Sequence, residues 1–184
     1  MQHVLVSACL LGVPVRHNGA DVASDSEILQ RWIQDGRVIA VCPEVDGGLP
    51  ARRPPAEVSD AAGGNGVLAG TARVFAKTGN DVTREFVAGA ERVAEIARLH
   101  GIRLAILKEG SPSCGSSFTY DGSFAGVRIR GPGVTAARLV KAGIRVFSET
   151  QLAEAELFLT QAEAEDGLEP ALNGVIQRGN TASQ

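Results

Sequence analysis

The sequence contains few of the residues that staple small folds together or that mark membrane segments. Only 3 cysteines and 3 histidines occur in 184 residues, and aromatic side chains make up 4% of the chain. An odd, scattered set of cysteines argues against a disulfide framework. No stretch approaches the ~20 apolar residues that a membrane-spanning helix needs. We therefore expect one ordinary globular domain whose core is made of aliphatic side chains.

An excess of charge of either sign is also missing, and this restricts the kind of partner. The formal net charge is −3, so the chain lacks the basic field with which proteins hold nucleic acid. Residues Met1–Val4 run straight into an apolar segment, without the basic and apolar regions of a secretory signal. We expect a cytoplasmic protein with a small-molecule partner and no membrane attachment, and the sequence leaves the oligomeric state open.

Short apolar segments alternate with amphipathic ones along the chain. The apolar segments predict core strands at His3–Ala8, Arg37–Val41, Ile102–Leu107 and Ile144–Phe147. The remaining periodic segments predict helices at Glu27–Ile33, Asp81–His100, Val134–Ala142 and Thr150–Glu165. This alternation is typical of a single α/β domain, in which a mostly parallel sheet is flanked by helices on both faces. We place that domain at residues 1–165 and a polar C-terminal tail at residues 166–184.

The connections between these elements include one long loop. Residues Pro43–Pro55 are rich in glycine, proline and arginine, and long loops in compact domains often carry function. A turn is expected at Asp60–Gly66, followed by a short hairpin or an edge strand within residues 67–77. The long loop is therefore the first place in which to look for functional side chains.

Each cysteine follows a predicted core strand. Cys9 and Cys42 come directly after the first and second strands, and Cys114 lies a few residues beyond the third. The carboxyl ends of parallel strands form the crevice in which α/β sheets bind ligands, so we expect the three thiols to meet there. Thiolates select zinc or iron–sulfur clusters, and three protein ligands leave one coordination position open. His17 could complete a closed Cys3His zinc site, which is the alternative.

Six segments of the chain carry a recognisable family pattern. They are SACLLG (Ser7–Gly12), CPEVDGGLPARRPPAE (Cys42–Glu57), GNDVT (Gly79–Thr83), KEGSPSCG (Lys108–Gly115), YDGSFAG (Tyr120–Gly126) and GPGVTAARL (Gly131–Leu139). In this order they resemble the DUF523 family of TudS thiouracil desulfidases, over about residues 4 to 150. One segment departs from the pattern, because many members have C-R-Y-D-G where this chain reads VRHNG at residues 15–19. The chain therefore keeps only the three cysteines already named.

The resemblance implies an enzyme, a thiouracil or thiouridine desulfidase. It implies a 4Fe-4S cluster that is held by Cys9, Cys42 and Cys114, with the fourth iron open to the sulfur of the substrate. The reaction would be a non-redox desulfuration of 2-thiouracil, thiouridine or thio-UMP to the uracil form, with release of hydrogen sulfide. The alternative is an iron–sulfur or zinc-binding protein with a sensing or structural role and no turnover. An electron carrier would normally use four cysteines.

Four further side chains are candidates for the chemistry. Glu44 lies two residues from Cys42 and would act as general base for the attacking water, unless it serves only in an ion pair with a loop arginine. Ser111 or Ser113 would donate a hydrogen bond and relay a proton, and the alternative is turn chemistry around the intervening proline. Lys108 would offset the negative charge of a thiolate-bound cluster, unless it is a solvated strand end.

Charged and aromatic residues of the same motifs offer contacts for the rest of a substrate. Arg16, Arg52 and Arg53 could bind a nucleotide phosphate, because guanidinium groups suit bidentate contacts. Their alternative is ordinary surface charge. Tyr120 and Phe124 could stack on a pyrimidine, although aromatic side chains more often pack in a core.

Overall fold

The structure, a computed structural model, describes residues 1–178. These residues form the strands β1 (Val4–Ser7), β2 (Val38–Val41), β3 (Ala56–Val58), β4 (Val74–Ala76), β5 (Leu104–Leu107), β6 (Phe118–Tyr120), β7 (Arg128–Arg130) and β8 (Arg145–Ser148). They also form the helices α1 (Glu27–Gln34), α2 (Pro43–Asp46), α3 (Gly63–Leu68), α4 (Thr83–Leu99), α5 (Val134–Lys141) and α6 (Leu152–Arg178). Short 3-10 turns cover Ala8–Leu11 and Ser59–Ala61.

Four of the strands form a parallel sheet in the order β2–β1–β5–β8. Within it, β1 lies between β2 and β5, and Val4 pairs with Val38 on one side and with Leu104 on the other. Every residue of β1 and β5 is buried, because α1 and α6 pack on one face of the sheet and α4 and α5 on the other. The predicted α/β class and the parallel sheet with helices on both faces are confirmed.

Two antiparallel pairs of strands lie outside this sheet. β3 pairs with β4, and their apolar residues form a third small core with Phe86 of α4 and Val134 of α5. β6 pairs with β7 in a hairpin, in which Thr119 faces Ile129. Only β4 falls within residues 67–77, where the sequence predicted a hairpin or an edge strand. Its partner β3 lies before that region, and Val67 and Leu68 belong to helix α3, so no hairpin forms within residues 67–77.

Two sequence predictions of irregular structure were wrong in part. The predicted loop Pro43–Pro55 begins with helix α2, and the predicted turn Asp60–Gly66 runs into helix α3. Glycine is a poor helix former, but close packing explains α3, since a β-carbon at Gly64 would lie 2.2 Å from the carbonyl oxygen of Gly133. A helix that approaches α5 this closely needs glycine at the contact.

The last helix is longer than the sequence predicts. α6 continues past Glu165 to Arg178, so helix covers the first part of the segment 166–184 that was expected to be a polar tail. Residues 179–184 lie outside the described part of the chain, and the division between domain and tail stays a prediction. No helix within the described residues combines the length and the apolar character that crossing a bilayer requires.

Candidate active site

The three cysteines lie at the carboxyl ends of three neighbouring strands. Cys9 is in the 3-10 turn that follows β1, Cys42 directly follows β2 and precedes α2, and Cys114 is in the loop after β5. Because β1 lies between β2 and β5, these ends are adjacent. All three cysteines line one cavity of about 270 Å³, close to the lower end of the usual range for small-molecule sites, ~300 Å³. The order of the strands therefore places all three cysteines around the crevice in which the sequence predicted them.

Local hydrogen bonds fix the segments that carry two of the cysteines. The Asp46 carboxylate accepts the backbone N–H of Cys42 at 3.1 Å, which ties the last residue of α2 to its start. The Ser111 hydroxyl oxygen accepts the backbone N–H groups of Ser113 and Cys114, at 3.1 and 3.0 Å. Both cysteine segments are held by short polar side chains of their own motif, in the way that such residues hold turns.

Helix α2 is held in place by an unusually close contact with α4. A β-carbon on Gly89 would lie 1.8 Å from the backbone oxygen of Pro43, and one on Gly47 would lie 2.0 Å from the backbone oxygen of Glu85. Only glycine permits the two backbones to approach in this way. This contact sets the position of Glu44, within α2, and of Cys42, immediately before it.

Burial and mutual charge disfavour deprotonation of the thiols. Burial is the largest cause in each case and raises the pKa of Cys9 to about 11, while the pKa values of Cys42 and Cys114 are also raised. The charge of Cys42 adds to the rise in the pKa of Cys9, and the charges of Arg16 and Lys108 oppose it. Thiolates at this position therefore need a cationic centre between them, which metal atoms supply.

The donor set fits a centre of several metal atoms better than it fits one ion. No three His, Cys, Asp or Glu side chains in the described part of the chain converge closely enough to hold a single metal ion. The thiols share a cavity, and the charges of Cys9 and Cys42 both raise the pKa of Cys114. His17 also lines the cavity, yet the closed Cys3His zinc site, the alternative from the sequence, is not assembled. Three thiols around one cavity, of which Cys9 and Cys114 are buried, are the ligand type that iron–sulfur clusters use.

Glu44 lines the cavity in an ion pair with a buried arginine. Nε of Arg53 donates a hydrogen bond to Oε2 of Glu44 at 2.7 Å, and Nη2 lies 2.7 Å from the same oxygen in the ion pair. The side chains are 15% exposed for Glu44 and 7% for Arg53. Within the described residues no hydrogen bond reaches Oε1 of Glu44. The ion pair that the sequence offered as the alternative therefore exists, and it leaves one carboxylate oxygen for other work.

The other predicted chemical groups divide into two sets. Ser111 and Lys108 line the cavity, and the ammonium of Lys108 pairs with the carboxylate of Glu149. Ser113 is fully buried, is not among the described residues around the cavity, and shares a hydrogen bond of 2.8 Å with the hydroxyl of Thr135. Of the two serines, only Ser111 is placed to contact a ligand.

The arginines that were candidates for phosphate binding also differ in position. Arg53 uses Nη1 for the backbone oxygens of Val15, Pro50 and Ala51 in addition to its contacts with Glu44, so most of its donors are engaged within the protein. Arg16 lines the cavity, whereas Arg52 does not. Arg16 is therefore the arginine of this set that a ligand in the cavity could contact.

Sequence reasoning gave no role to two carboxylates that surround the cavity, although Glu109 was expected to face the crevice at the end of the third strand. Glu57 and Glu109 both line it, and both accept hydrogen bonds from backbone N–H groups of the segment around the hairpin β6–β7. Glu57 closes the long CPEVDGGLPARRPPAE motif, a signal that could have drawn attention to it. Of the two predicted aromatic contacts, Tyr120 lines the cavity and Phe124 does not.

The fold and the cavity define a class: α/β proteins whose parallel sheet presents three thiols and a carboxylate at adjacent strand ends. Residues 4–151 match the family model described as 2-thiouracil desulfurase, and the chain belongs to this 2-thiouracil desulfurase family. An uncharacterized protein YbbK of Bacillus subtilis (strain 168) is 42% identical over 149 residues, which are 81% of this chain and 97% of that protein.

A solved structure gives the same relationship in three dimensions. It is described as the 4Fe-4S-dependent thiouracil desulfidase TudS (DUF523Vcz), and it is 46% identical to this chain. The TM-score is 0.79, and the likeness covers 88% of this chain and 99% of the other. The predicted family resemblance and fold class are confirmed by these two comparisons with the family model and the solved structure.

Proposed function

We propose that this protein is a 4Fe-4S-dependent desulfidase that converts a thiouracil-type base to the uracil form and releases hydrogen sulfide. One observation carries the proposal: Cys9, Cys42 and Cys114 line a single cavity at adjacent strand ends, together with the carboxylate of Glu44. Family membership and the likeness to TudS support the same reaction. Because the chain supplies three thiols and no fourth cysteine, one metal position would be left for the substrate.

Cys9, Cys42 and Cys114 would hold the cluster as thiolates. The chemistry that such a cluster supplies, when bound, is Lewis-acid binding of the substrate sulfur at an iron that no cysteine ligates. The charges of Arg16 and Lys108 oppose the rise in the pKa of Cys9. These two cations would also stabilise the negative charge of the three thiolates. Cys9 and Cys114 are buried, and the shell around such a site controls the access of solvent to the ligands.

Glu44 would accept a proton from the water that attacks the thiocarbonyl carbon. Arg53 holds Oε2, so the carboxylate has a fixed direction and Oε1 is left for the water. A positioned carboxylate of this kind contributes about 10²–10⁴-fold as general base. In the balanced reaction one water enters, the carbon–sulfur bond breaks, a carbon–oxygen bond forms, and sulfur leaves as hydrosulfide without change of oxidation state.

Ser111 and Lys108 are the remaining candidates around the reacting atoms. The Ser111 hydroxyl oxygen accepts two backbone N–H groups, which leaves its own proton to be donated to the substrate. Lys108 is held between Glu149 and the backbone oxygen of Glu109, the latter at 3.0 Å. Its charge would therefore act on the cavity from a fixed place. Ser113, bonded to Thr135, would support the loop rather than contact the substrate.

The substrate could be 2-thiouracil itself, thiouridine or thio-UMP. Arg16 lines the cavity, and no hydrogen bond of its guanidinium occurs among the described residues, so a 5′-phosphate would find its counter-charge there. Comparison of KM for the base, the nucleoside and the nucleotide in wild type and Arg16→Gln separates these forms. A nucleotide preference that is lost in the variant places the phosphate at Arg16. We also propose the cytoplasm as the location, since free buried thiols suit a reducing compartment.

Anaerobic purification tests the cofactor. We expect a brown protein with about 4 iron and 4 sulfide per chain, the composition of a 4Fe-4S cluster, and sulfide release from a thiopyrimidine. Serine in place of Cys9, Cys42 or Cys114 should abolish cluster binding in each case, while Ser116→Ala, at a neighbouring position, should retain it. A colourless protein with one zinc would contradict the proposal, and so would full iron content in any cysteine variant. A loaded protein without sulfide release would indicate the sensing or structural role.

A second experiment isolates Glu44. Glu44→Gln keeps an oxygen for Arg53 but cannot accept a proton, so we expect normal iron content and loss of turnover by at least ~100-fold. Glu44→Ala should lose turnover too, and it should also lose stability because Arg53 is left buried without its partner. The exposed Glu95→Ala serves as the matched control. Unchanged turnover in Glu44→Gln would remove Glu44 from the mechanism.

A further inference from the structure

The hairpin β6–β7 brings an aromatic side chain to the cavity. Tyr120, the last residue of β6, lines the cavity. Among the described lining residues, only Tyr120 and His17 carry an aromatic ring. The Tyr120 hydroxyl lies 3.9 Å from where a β-carbon of Gly110 would be, close to the cysteine loop. Its ring meets that of Phe118 edge-on, with 6.1 Å between centroids, and the guanidinium of Arg128 lies 4.5 Å from the Phe118 centroid. The ring of Tyr120 is thus a wall of the cavity.

Glu57 of β3 holds the loop that follows Tyr120. Its Oε2 accepts the backbone N–H groups of Gly122 and Phe124, both at 3.0 Å. Phe124 has φ 56°, a left-handed conformation that is strained for a residue with a side chain. A β-carbon on Gly122 would lie 2.6 Å from the backbone oxygen of Val58, so this loop lies directly on β3. The two hydrogen bonds to Glu57 compensate the strain and fix the loop there.

A second carboxylate holds the other end of β6. Glu109 accepts the backbone N–H groups of Ser116 and Phe118 through Oε1, at 3.0 and 3.3 Å, and the hydroxyl groups of Ser116 and Ser117 through Oε2. Burial would raise the pKa of Glu109, but these hydrogen bonds outweigh it and lower the pKa. The strand that carries Tyr120 is therefore anchored at both ends by acidic side chains that line the same cavity.

We propose that Glu57 is a positioning residue for substrate binding: it holds the hairpin β6–β7 so that the ring of Tyr120 stands in the cavity wall and stacks on the flat pyrimidine. The inference rests on the proposed function for the identity of the ligand. The role assigned to Glu57 is carried by Oε2, which accepts the two backbone N–H groups of the loop. A planar aromatic base gains most from an aromatic side chain that is already fixed in place.

The substitution Glu57→Gln distinguishes positioning from catalysis. A single oxygen, Oε2, accepts both N–H groups, and the carbonyl oxygen of glutamine can do the same. We expect Glu57→Gln to keep the kcat and KM of the wild type. We expect Glu57→Ala to raise KM by about tenfold with kcat changed less than about twofold, the size of one lost base-stacking contact. Tyr120→Ala should give the same rise in KM. The double variant Glu57→Ala/Tyr120→Ala should have the same KM as Tyr120→Ala alone.

Amide hydrogen exchange gives a readout that needs neither cluster nor turnover. Protection of Gly122 and Phe124 should be lost in Glu57→Ala and kept in Glu57→Gln. Iron content should be unchanged in all variants. Ser123→Ala is the local control, because it removes the exposed contacts of the hydroxyl with Asp121 and with the backbone N–H of Ala125 and leaves the bonds to Glu57 intact. We expect its KM to equal that of the wild type.

Two results would overturn the inference: a KM in Glu57→Ala equal to that of the wild type, or a loss of kcat in Glu57→Gln. Should the wild type release no sulfide from any thiopyrimidine, the proposed function is wrong. Calorimetric titration with 2-thiouracil and uracil then decides the role of the hairpin separately. We expect Glu57→Ala to bind these bases about tenfold more weakly than Glu57→Gln does. Equal affinities in the two variants, or no binding by either, would refute the inference.

Discussion

Replacement of Gly89 by alanine is expected to disrupt the site from outside it. Within an exposed helix this change normally stabilises a protein by ~0.5–1 kcal/mol. At Gly89 the added β-carbon would lie 1.8 Å from the backbone oxygen of Pro43 and 2.7 Å from its carbonyl carbon. Neither atom can rotate away, because both belong to the backbone. Since non-bonded heavy atoms settle at about 3.5 Å, α2 has to move away from α4 by roughly 1.5 Å.

The expected cost is large enough to measure. Overpacking of a close contact costs ~1–3 kcal/mol, and the gain in helix propensity offsets less than ~1 kcal/mol of it. We therefore expect a net loss of ~1–2 kcal/mol in the free energy of unfolding. Because Cys42 precedes α2 and Glu44 lies within it, the same movement displaces a proposed cluster ligand and the proposed base.

Urea unfolding of the purified chain measures the loss of stability, and iron content after anaerobic reconstitution measures the damage to the site. The matched control is Ala88→Gly, at an exposed neighbour on α4, which costs ~1 kcal/mol through helix propensity alone. Both variants should lose similar stability, and only Gly89→Ala should lose iron. Equal iron content in the two variants would refute the argument that this contact positions the site.

Two further predictions concern buried and charged groups. Ser113→Ala leaves the Thr135 hydroxyl buried without its 2.8 Å partner and should lower the free energy of unfolding in urea by ~1–3 kcal/mol. The double variant Ser113→Ala/Thr135→Val should regain most of this loss. Lost turnover at unchanged stability would instead give Ser113 a chemical role. Hydrogen bonds from Thr83, followed by that from Arg73, lower the pKa of Asp81 to about 2. A lowered pKa means that ionised Asp81 stabilises the fold above its ordinary pKa of 3.8, and that this contribution is lost as the pH falls toward 2. The urea midpoints of wild type and Asp81→Asn should therefore differ at pH 6, and the difference should narrow as the pH falls from about 4 to about 2. A difference that stays constant over this range would contradict the assignment.

The local sequence pattern was enough to predict the class of the fold and the candidate ligands. Alternating periods of about 2 and 3.6 residues are local properties, so the four core strands and most helices could be located without the structure. Cys9, Cys42 and Cys114 could be assigned to one site because each follows a strand, and parallel strands end at the same edge. Glu44 could be selected because it lies two residues from Cys42.

Tertiary structure alone decided which candidate side chains face the cavity and which are occupied elsewhere. Ser111 and Ser113 have equivalent surroundings in the sequence, and only packing against Thr135 separates them. Arg53 and Glu57 are committed to partners that lie 9 and 65 or more residues away in the chain. The helical Gly64 and Gly89 contradict local propensity, because their backbones touch another helix. Contacts between distant segments leave no local period in the sequence, so the part of the site that depends on them is decided only when the chain folds.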